Sequence, residues 1–180
     1  MTLWSKSLLP FALAALAWGA SGCDDREPLE VANQVDYDRF SGRWYEIARL
    51  PRATQKDCYG TTSFYERSGA DSLRITHECA LGKFDGPYHG VETSATMPDA
   101  AEPAKLSVKI NIYRGDYWVL EVGEGYEYAV VGHPSRDYLW ILSRTPQLPD
   151  DVLQGILSRT KAKKFDVDRL EYTPQRAALP

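Results

Sequence analysis

Gly42-Arg43-Trp44-Tyr45-Glu46-Ile47-Ala48-Arg49 is the stretch on which the fold turns. It follows a turn-like segment at 36–41, and its Trp, Tyr and Ile content reads as a β-strand. Seven more segments of this kind follow, at 58–66, 72–79, 87–97, 105–113, 116–122, 126–132 and 137–143. Each is short, rich in Thr, Val, Ile and Tyr, and bounded by Gly, Pro, Asp or Ser. Ser68-Gly69-Ala70-Asp71 and Arg114-Gly115-Asp116 read as hairpin turns. Eight strands on short links predict an all-β fold, an up-and-down antiparallel barrel that leaves no sheet edge. A two-sheet sandwich is the alternative.

After the eighth strand the period changes. Pro149-Asp150-Asp151 opens one C-terminal helix, with Pro tolerated and acidic residues favoured in the first turn. Val152, Leu153, Ile156 and Leu157 form an apolar stripe, and Arg159, Lys161, Lys163 and Lys164 load the far end. The stripe is expected to pack on the barrel wall; a membrane-binding face is the other reading. Residues 165–172 read as a last short strand. The barrel and its helix span 36–173, and 174–180 are expected to be a loose tail.

Of the 180 residues, 43% are hydrophobic and 26% charged, a balance that excludes disorder. The formal charge is −4, with no clustered Lys and Arg, so no nucleic-acid partner is expected. Five Trp and eleven Tyr require either a large aromatic core or a binding cavity.

Residues 1–22 stand outside the fold. A short start carrying Lys6, an apolar run from Leu8 to Trp18 and the small residues Gly19-Ala20-Ser21-Gly22 form an export signal, too short to span a bilayer. Small residues directly before Cys23 resemble a bacterial lipobox, with Ala20 where that motif prefers Leu. The resemblance implies diacylglycerol on the Cys23 thiol and a permanent anchor. An ordinary secreted protein with a free Cys23 is the alternative. Residues 23–35 are acidic, hold Pro28 and show no periodicity, so they read as a tether.

The first-strand motif and Arg136-Asp137-Tyr138-Leu139-Trp140-Ile141-Leu142-Ser143-Arg144-Thr145-Pro146, set before a helix, together resemble the lipocalin family. More narrowly, the chain is similar to the bacterial lipocalins anchored to the outer membrane, and the resemblance covers roughly residues 35–172. The family's middle motif is degenerate here, Glu124-Gly125-Tyr126. The resemblance implies that Gly42 admits the chain to the barrel, that Trp44 plugs its closed end and that Arg144 lies across that indole, all structural roles. It also implies the outer membrane, whereas Asp24-Asp25 would signal the inner membrane under the enteric rule.

Three cysteines in an exported chain leave one over, and the lipobox accounts for Cys23. A two-residue turn at Ser68-Gly69 would set Cys58 directly opposite Cys79, which predicts a disulfide; a one-residue bulge would break that register. Closing that loop stabilises by roughly 3 kcal/mol.

No nucleophile-elbow, zinc-protease, Cys-x-x-Cys or phosphate-loop motif occurs, and His77, His89 and His133 are dispersed without ligand spacing. Neither an enzyme nor a metal or other cofactor is expected. The resemblance places Tyr138, Trp140 and Leu142 inside the barrel. Tyr117 and Val119, and Ala129 and Val131, share that parity in their strands. These seven are the candidate ligand contacts. The implied function is storage or transport of fatty acids or lysophospholipids in the envelope, in support of membrane maintenance under stress. A carrier of another hydrophobe (haem, retinoid or antibiotic-like) and a structural lipoprotein with a filled barrel are the alternatives, and a homodimer is left open.

Overall fold

The computed structural model describes residues 27–110 and 112–176. The lipidation candidate Cys23 lies outside them. Eight antiparallel strands follow one another: β1 Gly42–Arg49, β2 Cys58–Gly69, β3 Ser72–Leu81, β4 Tyr88–Thr96, β5 Lys105–Ile110, β6 Tyr113–Val122, β7 Tyr128–Gly132 and β8 Leu139–Ser143. Each pairs with its neighbour, and β1 pairs with both β8 and β2, which closes the barrel and excludes the sandwich.

The segment before β1 is a one-turn helix, α1 (Tyr37–Phe40). Asp36 Oδ1 accepts from the amides of Asp38 and Arg39, as an N-cap should. Gly42 has φ +97°, a conformation that L side chains rarely adopt, and a Cβ there would lie 3.4 Å from Arg144 Nη1.

Two turns differ from expectation. Arg114-Gly115-Asp116 is strand, not turn: these residues pair with Lys109, Val108 and Ser107, and the reversal falls between Ile110 and Tyr113. The apolar alternation simply continues through Gly115. At the first hairpin Ser68 and Gly69 belong to β2, and Gly69 pairs with Ser72, so Ala70-Asp71 make the turn. Register shifts between Arg67 and Gly69, and between Tyr59 and Thr62, then move the ladder. Cys58 therefore opposes Leu81, yet Cys58 and Cys79 are disulfide-bonded, with Cα atoms 5.4 Å apart. The bulge, where Gly60 has φ +62°, supplies the offset that direct pairing was expected to give.

The helix α2 (Asp150–Ala162) covers the outer wall. Ile156 is fully buried, and Val152, Leu153 and Leu157 pack with it against Leu120, Val130, Leu139 and Ile141. The apolar stripe is thus a core face. Arg159 Nη2 donates to Glu121 Oε1 at 2.6 Å and ties the helix to β6.

The expected strand at 165–172 shrinks to β9, Glu171–Tyr172, after a 3-10 turn at Val167–Arg169; Phe165 turns inward against the helix layer. β9 pairs with β1 at Ala48 and Arg49, beyond the point where β1 leaves β2. The tail that follows is not loose through Arg176. Gly60 N donates to Pro174 O at 2.8 Å, and Gln175 Nε2 donates to Glu46 O and Thr61 O, both at 2.9 Å. The C-terminal segment fills the seam between β1 and β2, satisfying backbone groups that neither strand reaches.

The N-terminal tether is likewise shorter than expected. Leu29 and Val35 are buried, and Ala32 N donates to Val119 O at 3.0 Å. Residues 29–35 run along the barrel from its open rim, where Arg136 Nη2 donates to Glu27 O, to the closed end, where the Tyr126 hydroxyl accepts from Asp36 N.

Candidate functional site

The barrel is filled in one half and hollow in the other. At the closed end Phe40 packs on Trp44 and Tyr65, ring centroids 5.0 Å apart in both pairs, and all three side chains are fully buried. Arg144 seals this end. Its Cζ lies 3.7 Å from the Trp44 ring centroid, and its N–H groups donate to the carbonyls of Arg39, Phe40, Ser41, Arg43 and Tyr126. The degenerate middle motif thus still contributes, through the Tyr126 carbonyl and hydroxyl.

Tyr117 is the floor of the hollow half. Its hydroxyl shares a short hydrogen bond with that of Tyr65, and burial pushes both phenols above the ordinary tyrosine range. Above the floor Trp140 contacts Tyr117 at 5.5 Å and stacks on Tyr138 at 6.4 Å and 12°. One aromatic column thereby runs from the rim to the closed end.

Around it lies a cavity of about 570 Å³ that opens at the rim, within the range of small-molecule sites. Of the seven candidate contacts only Tyr117, Tyr138 and Trp140 line it. Val119, Ala129, Val131 and Leu142 do face the barrel interior, but they lie beneath Tyr117 in the solid core, at most 1% exposed. Parity identifies the inward face of a strand; it does not say how far along the axis the barrel is filled.

The cavity wall also includes residues outside the seven candidates. Thr61, His77, Thr93 and Val108 come from β2 to β5, and Arg52 and Gln55 from the β1–β2 loop. The alternation Thr61, Ser63, Tyr65 in β2 was a readable signal, since these three are buried between exposed or half-buried neighbours.

The polar side of the cavity is organised from β1. A bulge between Glu46 and Ala48 turns both Glu46 and Arg49 into the seam, where each is at most 4% exposed. The Glu46 carboxylate accepts from Thr173 Oγ1 at 2.5 Å and from Gln55 Nε2 at 2.9 Å. Burial raises its pKa above the ordinary glutamate value, against those bonds and the nearby Arg49. Gln55 Oε1 faces Trp140 Nε1 at 3.5 Å.

The three histidines, distant in sequence, meet at this one cavity. His77 Nδ1 lies 2.8 Å from Ser63 Oγ, and burial, aided by the field of Arg52, lowers its pKa to about 4. Among the described residues no group of three or more His, Cys, Asp or Glu is placed to hold a metal ion.

The Lipocalin-like domain family matches residues 35–175. Temperature-induced lipocalin-1 of Arabidopsis thaliana is 32% identical over 166 residues, 87% of this chain and 88% of that protein. Outer membrane lipoprotein Blc of Escherichia coli is 31% identical over 175 residues, 93% of this chain and 97% of the other. Among solved structures, insecticyanin of the tobacco hornworm Manduca sexta superimposes with a TM-score of 0.64 at 22% identity, covering 87% of this chain and 88% of that one. Lobster apocrustacyanin A1 gives 0.64 at 20% identity, covering 81% and 82%. At that identity the two structures speak to the fold alone.

Proposed function

Because this chain belongs to the lipocalin-like family, we propose that it is a lipid carrier of the bacterial envelope, anchored to the outer membrane through Cys23 and holding a fatty acid or lysophospholipid in its barrel. The carrying observation is the division of the barrel. A solid half under Tyr117 gives rigidity, and a hollow half of about 570 Å³ offers the apolar surfaces of Val91, Val108 and Trp140 to a single acyl chain. Burying about ten methylenes contributes roughly 8 kcal/mol before association costs, a micromolar scale.

Anchoring is supported by the lipobox-like approach to Cys23 and by the name of the Escherichia coli relative. Among the described residues no helix is long and apolar enough to cross a membrane. Glu27 meets the barrel at its rim, bonded to Arg136 of the β7–β8 loop, and Cys23 precedes it by four residues. Four residues reach at most about 14 Å, so an acyl anchor there would hold the cavity mouth close to the bilayer.

Calorimetric titration of oleate and a lysophosphatidylethanolamine into delipidated protein tests the reading. Wild type binds at least one of them, and Val108→Trp, which fills the hollow half, loses binding while its melting temperature holds. No heat with either lipid refutes the lipid carrier and favours a purely structural lipoprotein. An absorbance band in protein purified from its own membranes would identify a coloured hydrophobe instead.

A further inference from the structure

We infer that Arg52 is the anion receptor of the cavity, so that the protein selects single-chain lipids with a carboxylate or phosphate head over neutral ones of equal chain. The inference rests on the carrier reading and adds the chemistry of the head. Two arginines line this cavity, the half-buried Arg52 and the exposed Arg114 at the rim, while Arg144 and Arg49 are spent. Arg144 spends its donors on five carbonyls. Arg49 donates to Gln55 O and pairs with Glu171 at 3.0 Å. Arg52, also half-buried, has its guanidinium carbon 4.9 Å from the Tyr138 ring centroid and 5.1 Å from that of Trp140. Among the described residues its side chain has no ion pair and no hydrogen bond.

Stacking occupies the face of a guanidinium and leaves the N–H edges free for bidentate recognition of a planar carboxylate or a phosphate. A charged group held partly out of water with its donors unspent is costly, and an arriving anion offsets that cost. The nearest buried carboxylate, Glu46, feels the Arg52 charge but spends its oxygens on Thr173 and Gln55, and Glu78 accepts from the Tyr88 hydroxyl, so neither closes an ion pair with Arg52.

A second unspent polar atom lies on the same wall. Thr61 is 3% exposed and its Oγ1 has no hydrogen-bond partner, although it lines the cavity. His77, held neutral, brings no competing cation to the wall. From Arg52 the apolar surface of Trp140 and Val108 leads inward to Tyr117, so an anion at the guanidinium leaves its chain running to the floor.

The test compares heads on one chain: oleate against oleyl alcohol, and oleoyl lysophosphatidate against monooleoylglycerol, at pH 8, in wild type, Arg52→Gln and Arg52→Lys. The readout is the ratio of affinities within each pair, with melting temperature as the check on folding. Wild type should favour the charged head by about tenfold or more, as a charge-assisted bidentate contact does. Arg52→Gln should bring the ratio close to one, and Arg52→Lys should fall between. Acetate and inorganic phosphate at millimolar concentration should not displace oleate; displacement would mean a small-anion site and overturn the lipid-head assignment. A wild-type ratio near one, or a ratio unchanged in Arg52→Gln, overturns the inference while the carrier reading survives. Failure of the alcohol and the oleate alike to bind overturns the carrier reading itself.

Discussion

The Arg144 guanidinium carbon sits 3.7 Å from the centroid of the Trp44 ring, and the same side chain reaches carbonyls of α1, of β1 and of the β6–β7 turn. One residue after β8 thus fastens the start of the barrel to its end.

Removing this clasp should be expensive. Arg144→Ala loses a cation–π contact and leaves backbone carbonyls short of donors, a cost of about 3 kcal/mol. Arg144→Lys should recover less than half, because an ammonium has three donors and no planar face. Urea unfolding measures both; a loss below about 1 kcal/mol for the alanine variant would mean that the closed end holds without its clasp.

His77 should give acid sensitivity over a defined window. The buried ring takes its proton near pH 4, the unfolded one near 6.5. Above 6.5 both are neutral and the residue contributes no slope. Between the two values only the unfolded chain binds the proton, so stability falls as pH drops from 6.5 to 4, by up to about 3 kcal/mol. Glu46 slopes the other way, since its raised pKa makes the unfolded chain release its proton first as pH rises. The difference between wild type and His77→Gln, followed by denaturant unfolding from pH 4 to 7.5, isolates the histidine. Parallel curves would show that the ring is not held neutral.

The seam between β1 and β2 should depend on the C-terminal segment. A chain ending at Tyr172 lacks the Pro174 carbonyl that accepts from Gly60 and the Thr173 hydroxyl that donates to Glu46. Hydrogen exchange should accelerate at Gly60 by at least tenfold while the β3 amides of Ile75 and His77 change little. Stability should drop by about 2 kcal/mol. Unaltered protection at Gly60 would leave the seam closed by β1 and β2 alone.

Both faces of β7 are core. Val131 points into the solid half of the barrel and Val130 packs under α2, each at most 1% exposed. Val130→Lys and Val131→Lys should therefore each cost more than about 3 kcal/mol, because neither ammonium can reach water. Val91→Lys, at the rim of the cavity where the residue is 39% exposed, should cost less than about 1 kcal/mol. Thermal melting ranks the three, and a tolerant Val131→Lys would place the cavity deeper than Tyr117.

The order of eight strands and a helix is legible along the chain, because each element carries its own period even where the turn residues mislead, as at Arg114-Gly115-Asp116. The roles of Gly42, Trp44 and Arg144 and the inward direction of the β6 to β8 faces came from the resemblance of two local motifs to the lipocalin family, and alternation supplied only which residues share a face. Tertiary structure alone decided where the barrel is hollow. Tyr117 and Val119 share one face of one strand, yet one lines the cavity and the other is core, since the depth of filling depends on α1 and Phe40 arriving from outside the strand. It decided the disulfide register as well, because two bulges moved the ladder in steps that no alternation pattern records. Arg52, His77 and Gln55 were illegible for the same reason. A loop arginine, a dispersed histidine and a loop glutamine acquire a role only when barrel closure brings strands far apart in the chain to one wall.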